Sequence, residues 1–141
     1  MNAVILYHGT ASGRAGAVAA NGFRAPFFLS PHFDDAAQYA MMGGEQDLQD
    51  REEAFHAEHG EWPRDLYDTC EMWQILYPEG EFPVVLEVRL PAALLAEGVP
   101  DPHGGPAGNL RFARAVSGEF VVGAQTVEWP DDGPDGAPPT P

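Results

Sequence analysis

"NAVILYHGTASGRAGAVAANGF", residues 2–23, passes from an apolar run through Tyr7-His8-Gly9-Thr10 into a small-residue segment that stops at Gly22. Residues 3 to 7 are apolar enough for a short buried strand. Ser12 is placed to cap a helix over 13–21, and Gly22 to end it. The pattern therefore predicts a strand that ends in a histidine followed at once by glycine. A buried strand end has no need of an imidazole, whereas a ligand lying against the backbone has use for both residues.

Working outward, "APFFLSPHF" (25–33) predicts a second short strand over 27–30. Ser30 precedes Pro31, which suits the first turn of a helix. "DDAAQYAMM" (34–42) continues that helix to Gly43-Gly44, with Asp34 and Asp35 near its start, where carboxylates favour the helix dipole. "FPVVLEVRLP" (82–91) is the clearest strand. Val84, Leu86, Val88 and Leu90 alternate with Val85, Glu87 and Arg89, the period of a sheet with one buried face. "AALLAEG" (92–98) reads as a short helical turn, and "VPDPHGGPAGN" (99–109) as a Pro/Gly loop. "EFVVGAQTVEW" (119–129) reads as two strand pieces broken at Gly123, a bulge or tight turn.

The 141 residues, 44% of them hydrophobic, fit one domain with one core, taken here as 1–129. The formal charge of -15 comes from 22 acidic residues against seven basic ones, all of them arginine. Such a balance repels phosphate backbones and anionic lipid unless arginines are focused on one face, so it disfavours nucleic acid without excluding it. A basic, neutral or small partner is favoured. No run approaches a membrane span and the N-terminus lacks a signal-peptide plan, so a cytoplasmic protein is expected. Cys70 is the single cysteine, which rules out an intrachain disulfide and a multi-cysteine metal site.

Residues 44–81 differ in character: twelve acidic residues stand against only Arg51 and Arg64. The segment reads as an acidic, partly helical insertion. Phe55, Trp62, Tyr67, Met72, Trp73 and Leu76 give it too many apolar groups for a disordered segment, so it is expected to pack on the domain. His56 and His59 have the spacing of helical metal ligands, but no third ligand is signposted and no metal is expected. "PDDGPDGAPPTP" (130–141) reads as a disordered, acidic, proline-rich tail.

Three blocks, in order, resemble the ADP-ribosyltransferase superfamily, in its His-Tyr-Glu branch of diphtheria-toxin-like and poly(ADP-ribose) polymerase-like enzymes. "LYHGT" (6–10) is similar to the first-strand His-Gly-Ser/Thr motif. "PFFLSPHFDDAAQYA" (26–40) resembles the second block, an aromatic-bearing strand followed by a helix with the triad tyrosine. "GEFVVGAQTVEW" (118–129) resembles the closing block, in which a glutamate opens a Val/Ile strand. Together they cover about half of the chain.

The resemblance implies an α+β fold, an ADP-ribosyltransferase-like split β-sandwich with an NAD cleft and flanking helices. It implies a transferase that moves ADP-ribose from NAD, its substrate, to an acceptor and releases nicotinamide. His8, Tyr39 and Glu119 would form the triad. Gly9 would let the nicotinamide amide approach the backbone, while Phe28 and Tyr39 would stack on its ring. His8 and Thr10 would contact the adenosine ribose, and Glu119 the nicotinamide ribose as positive charge develops there. Arg14 and Arg24 could neutralise the pyrophosphate, as could Arg111 or Arg114. Where polymerases often carry a serine three residues before the tyrosine, this chain has Ala36, so Ser30 or backbone groups would hold the carboxamide. An NAD glycohydrolase with the same pocket, and a non-catalytic module that binds NAD or ADP-ribose, are the alternatives.

Overall fold

The computed structural model describes residues 3–43, 45–100 and 108–129. Two three-stranded antiparallel sheets and several helices make the chain α+β. The first sheet is built from β1 (Ala3–Ala11), β3 (Pro83–Pro91) and β6 (Val121–Thr126), in the order β1-β3-β6. The second is built from β2 (Phe27–Leu29), β5 (Leu110–Phe112) and β4 (Val99–Pro100), in the order β2-β5-β4. Between β1 and β2 lies α1 (Ser12–Asn21), and after β2 comes α2 (Phe33–Met42).

The first strand does not end at His8. It pairs with β3 without interruption from Ala3↔Pro91 to Ala11↔Pro83. A nine-residue partner carries the ladder through His8, Gly9 and Thr10, so the histidine stands inside the strand. Ser12 does not cap α1. Ala11 occupies the N-cap, and the Ser12 hydroxyl accepts from the Phe82 amide at 3.1 Å. Gly22 ends the helix as expected, at φ 92° with its amide bonded to the Val18 carbonyl.

α2 starts two residues after Pro31, with His32 at its N-cap. The delay has a local cause. The Ser30 hydroxyl accepts from the His32 amide at 3.0 Å and donates to the His32 carbonyl at 3.2 Å, closing a turn before the helix. Asp34 and Asp35 lie in the first turn, and Gly43 ends the helix in the left-handed conformation.

β3 is buried along one face and, at its start, on the other as well. Val84, Leu86, Val88 and Leu90 enter the main core, between the sheets, with Leu6, Phe23, Phe27, Leu29 and Phe112. Val85, on the other face, is fully buried against Ala36 and Ala40 of α2. The alternation pattern placed Val85 on an open face because a helix laid over a sheet leaves no mark in the strand's own sequence. β6 is one strand rather than two, with a register shift at Glu87/Val88 opposite Gly123. The break is thus a bulge, and the Glu87 carboxylate lies over Gly123.

The acidic segment folds into α3 (Glu45–His59), α4 (Pro63–Leu66) and α5 (Thr69–Leu76). Leu48, Met72 and Leu76 form its own small core, with Met42, Phe55, Tyr67 and Trp73 packed around. A capping box starts α5, where Asp68 accepts from the Glu71 amide at 2.9 Å and Glu71 accepts from the Asp68 amide at 3.2 Å. α6 (Ala92–Leu95) is the short turn after β3. The tail at 130–141, Gly44 and most of the Pro/Gly loop lie outside the described residues.

Candidate functional site

His8 projects from β1 on the same side as Leu6, into the space between the sheets. Its Nδ1 lies 2.9 Å from the Phe28 carbonyl oxygen, and its ring stands edge-on to Phe23 at 5.1 Å. A carbonyl can only accept, so Nδ1 carries the proton and Nε2 offers the lone pair. Burial holds the imidazole below its ordinary pKa of 6.5. The Phe28 carbonyl opposes that shift, and the Arg14 charge adds to it. The ring is neutral at pH 7 and its orientation is set by β2.

The junction of the two sheets lies beside it. Tyr7 and Ser30 exchange both backbone hydrogen bonds, at 2.7 and 2.8 Å. In a continued antiparallel ladder the next such pair would be Gly9 with Phe28. That pair does not form: the Phe28 carbonyl accepts from the His8 side chain instead. Hydrogen-bonding direction alternates along a strand, so Gly9 turns its amide and carbonyl the same way as Tyr7, away from β3. The sheets join at one residue pair and part at Gly9.

Gly9 is needed for a second reason. A Cβ on it would lie 1.8 Å from the Ala36 carbonyl oxygen and 2.7 Å from the Ala40 nitrogen, so α2 sits directly on the strand. Ala36 is part of that contact. Tyr39 lies on α2 between the two alanines that touch the sheet, and is half-buried. Phe28 is half-buried and alternates with Phe27 and Leu29, which face the main core. Its side chain therefore lies on the α2 side of the sheet. Thr10 and Ser30 are buried.

The insertion grips the end of this helix, which the sequence pattern did not reveal. The Tyr77 hydroxyl donates to the Ala40 carbonyl at 2.9 Å, and Arg51 donates to the Met42 carbonyl at 3.2 Å. Burial, with help from the Glu81 charge and against Arg51, pushes the Tyr77 phenol up to about 12. It stays a hydrogen-bond donor. Aromatic residues in an acidic helical segment carry no signal of which neighbour they reach.

Glu119 lies apart from His8. It is exposed, in a 3-10 turn (Gly118–Phe120) directly before β6, and its amide donates to Ser117 Oγ at 3.2 Å. Gly118 seats that turn on α1, where a Cβ would come within 2.6 Å of the Val18 and Ala19 carbonyls. His8 shares a row with Leu86 and Ala124, whereas Val121 pairs with Val88. With strands about 4.8 Å apart and about 3.3 Å per residue, Val121 is about 12 Å from His8 across the sheet. The histidine and glutamate are not in one hydrogen-bonded cluster.

Of the arginines, Arg14 in α1 pairs with Asp47 of α3 at 3.1 Å, and Arg114 makes a two-point pair with Glu97 at 2.6 and 2.8 Å. Arg24 is exposed between α1 and β2. Arg111 stands on β5 opposite Phe28. A cavity of about 290 Å³ adjoins the end of β1, lined by Ala11, Arg14, Ala17, Gly43, Asp47, Pro78 and Glu81. Another, of about 340 Å³, lies in the insertion. His56 stacks on Trp62 and His59 leans on Phe55, so each of that pair has an aromatic neighbour. Among the described residues no group of three or more His, Cys, Asp and Glu could hold a metal ion. Among them also no helix is long and apolar enough to cross a membrane.

No protein-family model, no curated protein and no solved structure matches the chain.

Proposed function

We propose that this chain is an ADP-ribosyltransferase that cleaves the nicotinamide–ribose bond of NAD and passes ADP-ribose to an acceptor. The observation that carries the reading is the parting of β1 from β2 at Gly9. A backbone amide and carbonyl are directed into that gap, with Phe28 beside it and the tyrosine-bearing helix above it. A flat carboxamide-bearing ring uses a donor and an acceptor at close approach together with aromatic faces. Gly9, Phe28 and Tyr39 would supply these. The two parted sheets would be the split sandwich of the family, and the gap its NAD cleft.

The Ser30 hydroxyl already donates to the His32 carbonyl, so the carboxamide amide group would depend on backbone acceptors first. His8, neutral and held by Phe28, would offer Nε2 to a ribose hydroxyl of the adenosine half. Glu119 would act at the nicotinamide ribose. The separation of His8 from Glu119 suits a dinucleotide, because the two residues would touch different sugars. As the C1'–N bond lengthens, its electron pair moves onto the pyridinium ring and neutralises it, and positive charge develops on the ribose. A carboxylate near that sugar stabilises the charge. The acceptor nucleophile then bonds to C1' and loses its proton. Arg14 and Arg24 would meet the pyrophosphate, Arg14 by leaving Asp47. The acidic balance favours a protein or small-molecule acceptor in the cytoplasm.

Nicotinamide release from NAD by the full chain tests the reading, with Glu119→Gln as the informative variant. That variant keeps the shape and loses the charge. Turnover should fall at least about tenfold, equivalent to roughly 1.4 kcal/mol of barrier, while NAD affinity changes much less. Full turnover in the folded variant would remove Glu119 from the site. Label from NAD that ends only as free ADP-ribose would put water in the acceptor's place.

A further inference from the structure

The larger cavity lies in the insertion, between α3 and α4, and is lined by Gln49, Glu52, Glu53, Trp62, Arg64 and Asp65. Its charge is not evenly shared. Glu52 is buried and taken up by Arg64 at 2.6 Å, so that pair is neutral within itself. The carboxylates of Glu53 and Asp65 have no hydrogen-bond or ion-pair partner among the described residues. One wall is an indole. Trp62 is 37% exposed, and His56 stacks on it at 4.2 Å and 16°. One indole face is thus covered by the imidazole, and the residue is part of the cavity lining.

An aromatic face beside unpartnered carboxylates, in a concave site, is the chemistry that receives an organic cation. Metal is a poor fit, since the indole offers no ligand atom and no metal-holding group is found among the described residues. Anions are repelled by the whole segment, with its twelve acidic residues against two arginines. From this combination we infer that the insertion is a docking surface for a basic protein segment, with an arginine side chain seated on Trp62 between Glu53 and Asp65. A guanidinium is planar and weakly hydrated, so it stacks on an indole and still bonds a carboxylate at its edge. The partner is then a polypeptide drawn by charge and held by one anchor. Calling it the acceptor for ADP-ribose rests on the transferase reading; the docking itself does not.

The test is binding of a fluorescein-labelled Arg/Gly peptide to the full chain, without NAD, beside the same peptide with citrulline for arginine. Trp62→Leu removes the aromatic face at constant charge. Glu53→Gln with Asp65→Asn removes two charges at the cavity, and Glu79→Gln with Glu128→Gln removes two exposed charges elsewhere. Binding should weaken at least about tenfold in each cavity variant and with citrulline, and less than about threefold in the distant pair. Circular dichroism checks folding, and either cavity variant alone suffices if the other does not fold. Three results would overturn the inference: no binding by the wild type, equal binding of the citrulline peptide, or equal loss in the distant pair, which means general attraction to an acidic protein. Nicotinamide release, measured separately, tells whether the transferase reading fails with it or stands.

Discussion

The sheet region and the acidic insertion are stabilised in different ways. In the first, β3 lies between two neighbours, with Leu86, Val88 and Leu90 at most 1% exposed on one face and Val85 fully buried on the other. Contacts there join residues far apart in sequence. In the insertion Leu48, Met72 and Leu76 form a small core, Pro63 of α4 is buried as well, and a local device, the capping box, starts α5. The sheet region is thus held by a large, non-local core, while the insertion has a small core of its own. The two meet at the end of α2, where Tyr77 and Arg51 hold the last turn.

The sharpest challenge to this contrast is Gly9→Ala. The added methyl meets α2 backbone rather than a flexible side chain, so α2 must move or the strand must bend. A loss of about 3 kcal/mol or more is expected in urea unfolding. A small loss would show that α2 is not seated as described.

Next come paired truncations. Leu86→Ala should cost about 3 kcal/mol and lower the single global transition. Leu76→Ala should cost about 2 kcal/mol and show mainly as lost hydrogen-exchange protection in α3–α5. Equal loss of protection across both regions after Leu76→Ala would mean that they fold as one unit.

A smaller effect comes from pH. His8 is held below 6.5 by burial, so the unfolded chain takes the proton first. Stability is therefore full above about 6.5 and declines as pH falls below it, by at most about 1.4 kcal/mol per unit from this one group. His8→Asn keeps a donor for the Phe28 carbonyl and should flatten this part of the profile. An unchanged pH dependence would mean that His8 is protonated without cost. Smallest of all, Asp68→Ala removes the α5 cap and should cost about 1 kcal/mol, seen in the insertion's melting alone.

Local features were legible in the residues themselves. Gly22 and Gly43 stop their helices because each must take positive φ. The alternation of β3 points to a sheet strand whatever surrounds it. The motif residues around His8, Gly9, Phe28 and Tyr39 were also visible as a set. Their placement was not. That His8 stands within a strand rather than at its end depends on the length of β3, some eighty residues later, and the burial of Val85 depends on α2. Ser12 and Ser30 both had the character of caps, yet one serves the Phe82 amide and the other a turn at His32. A hydroxyl bonds whichever backbone group folding brings near.

By itself, the order of residues determined where the first two helices stop, which segments are apolar and how acidic the insertion is, because those properties belong to single residues and their near neighbours. Tertiary structure alone decided that the ladder parts at Gly9, that the Phe28 carbonyl goes to His8, that Glu119 lies rows away from it, and that Trp62 lines a cavity. Each of these is a choice among partners, and a partner distant in sequence is selected by the packing of the whole chain.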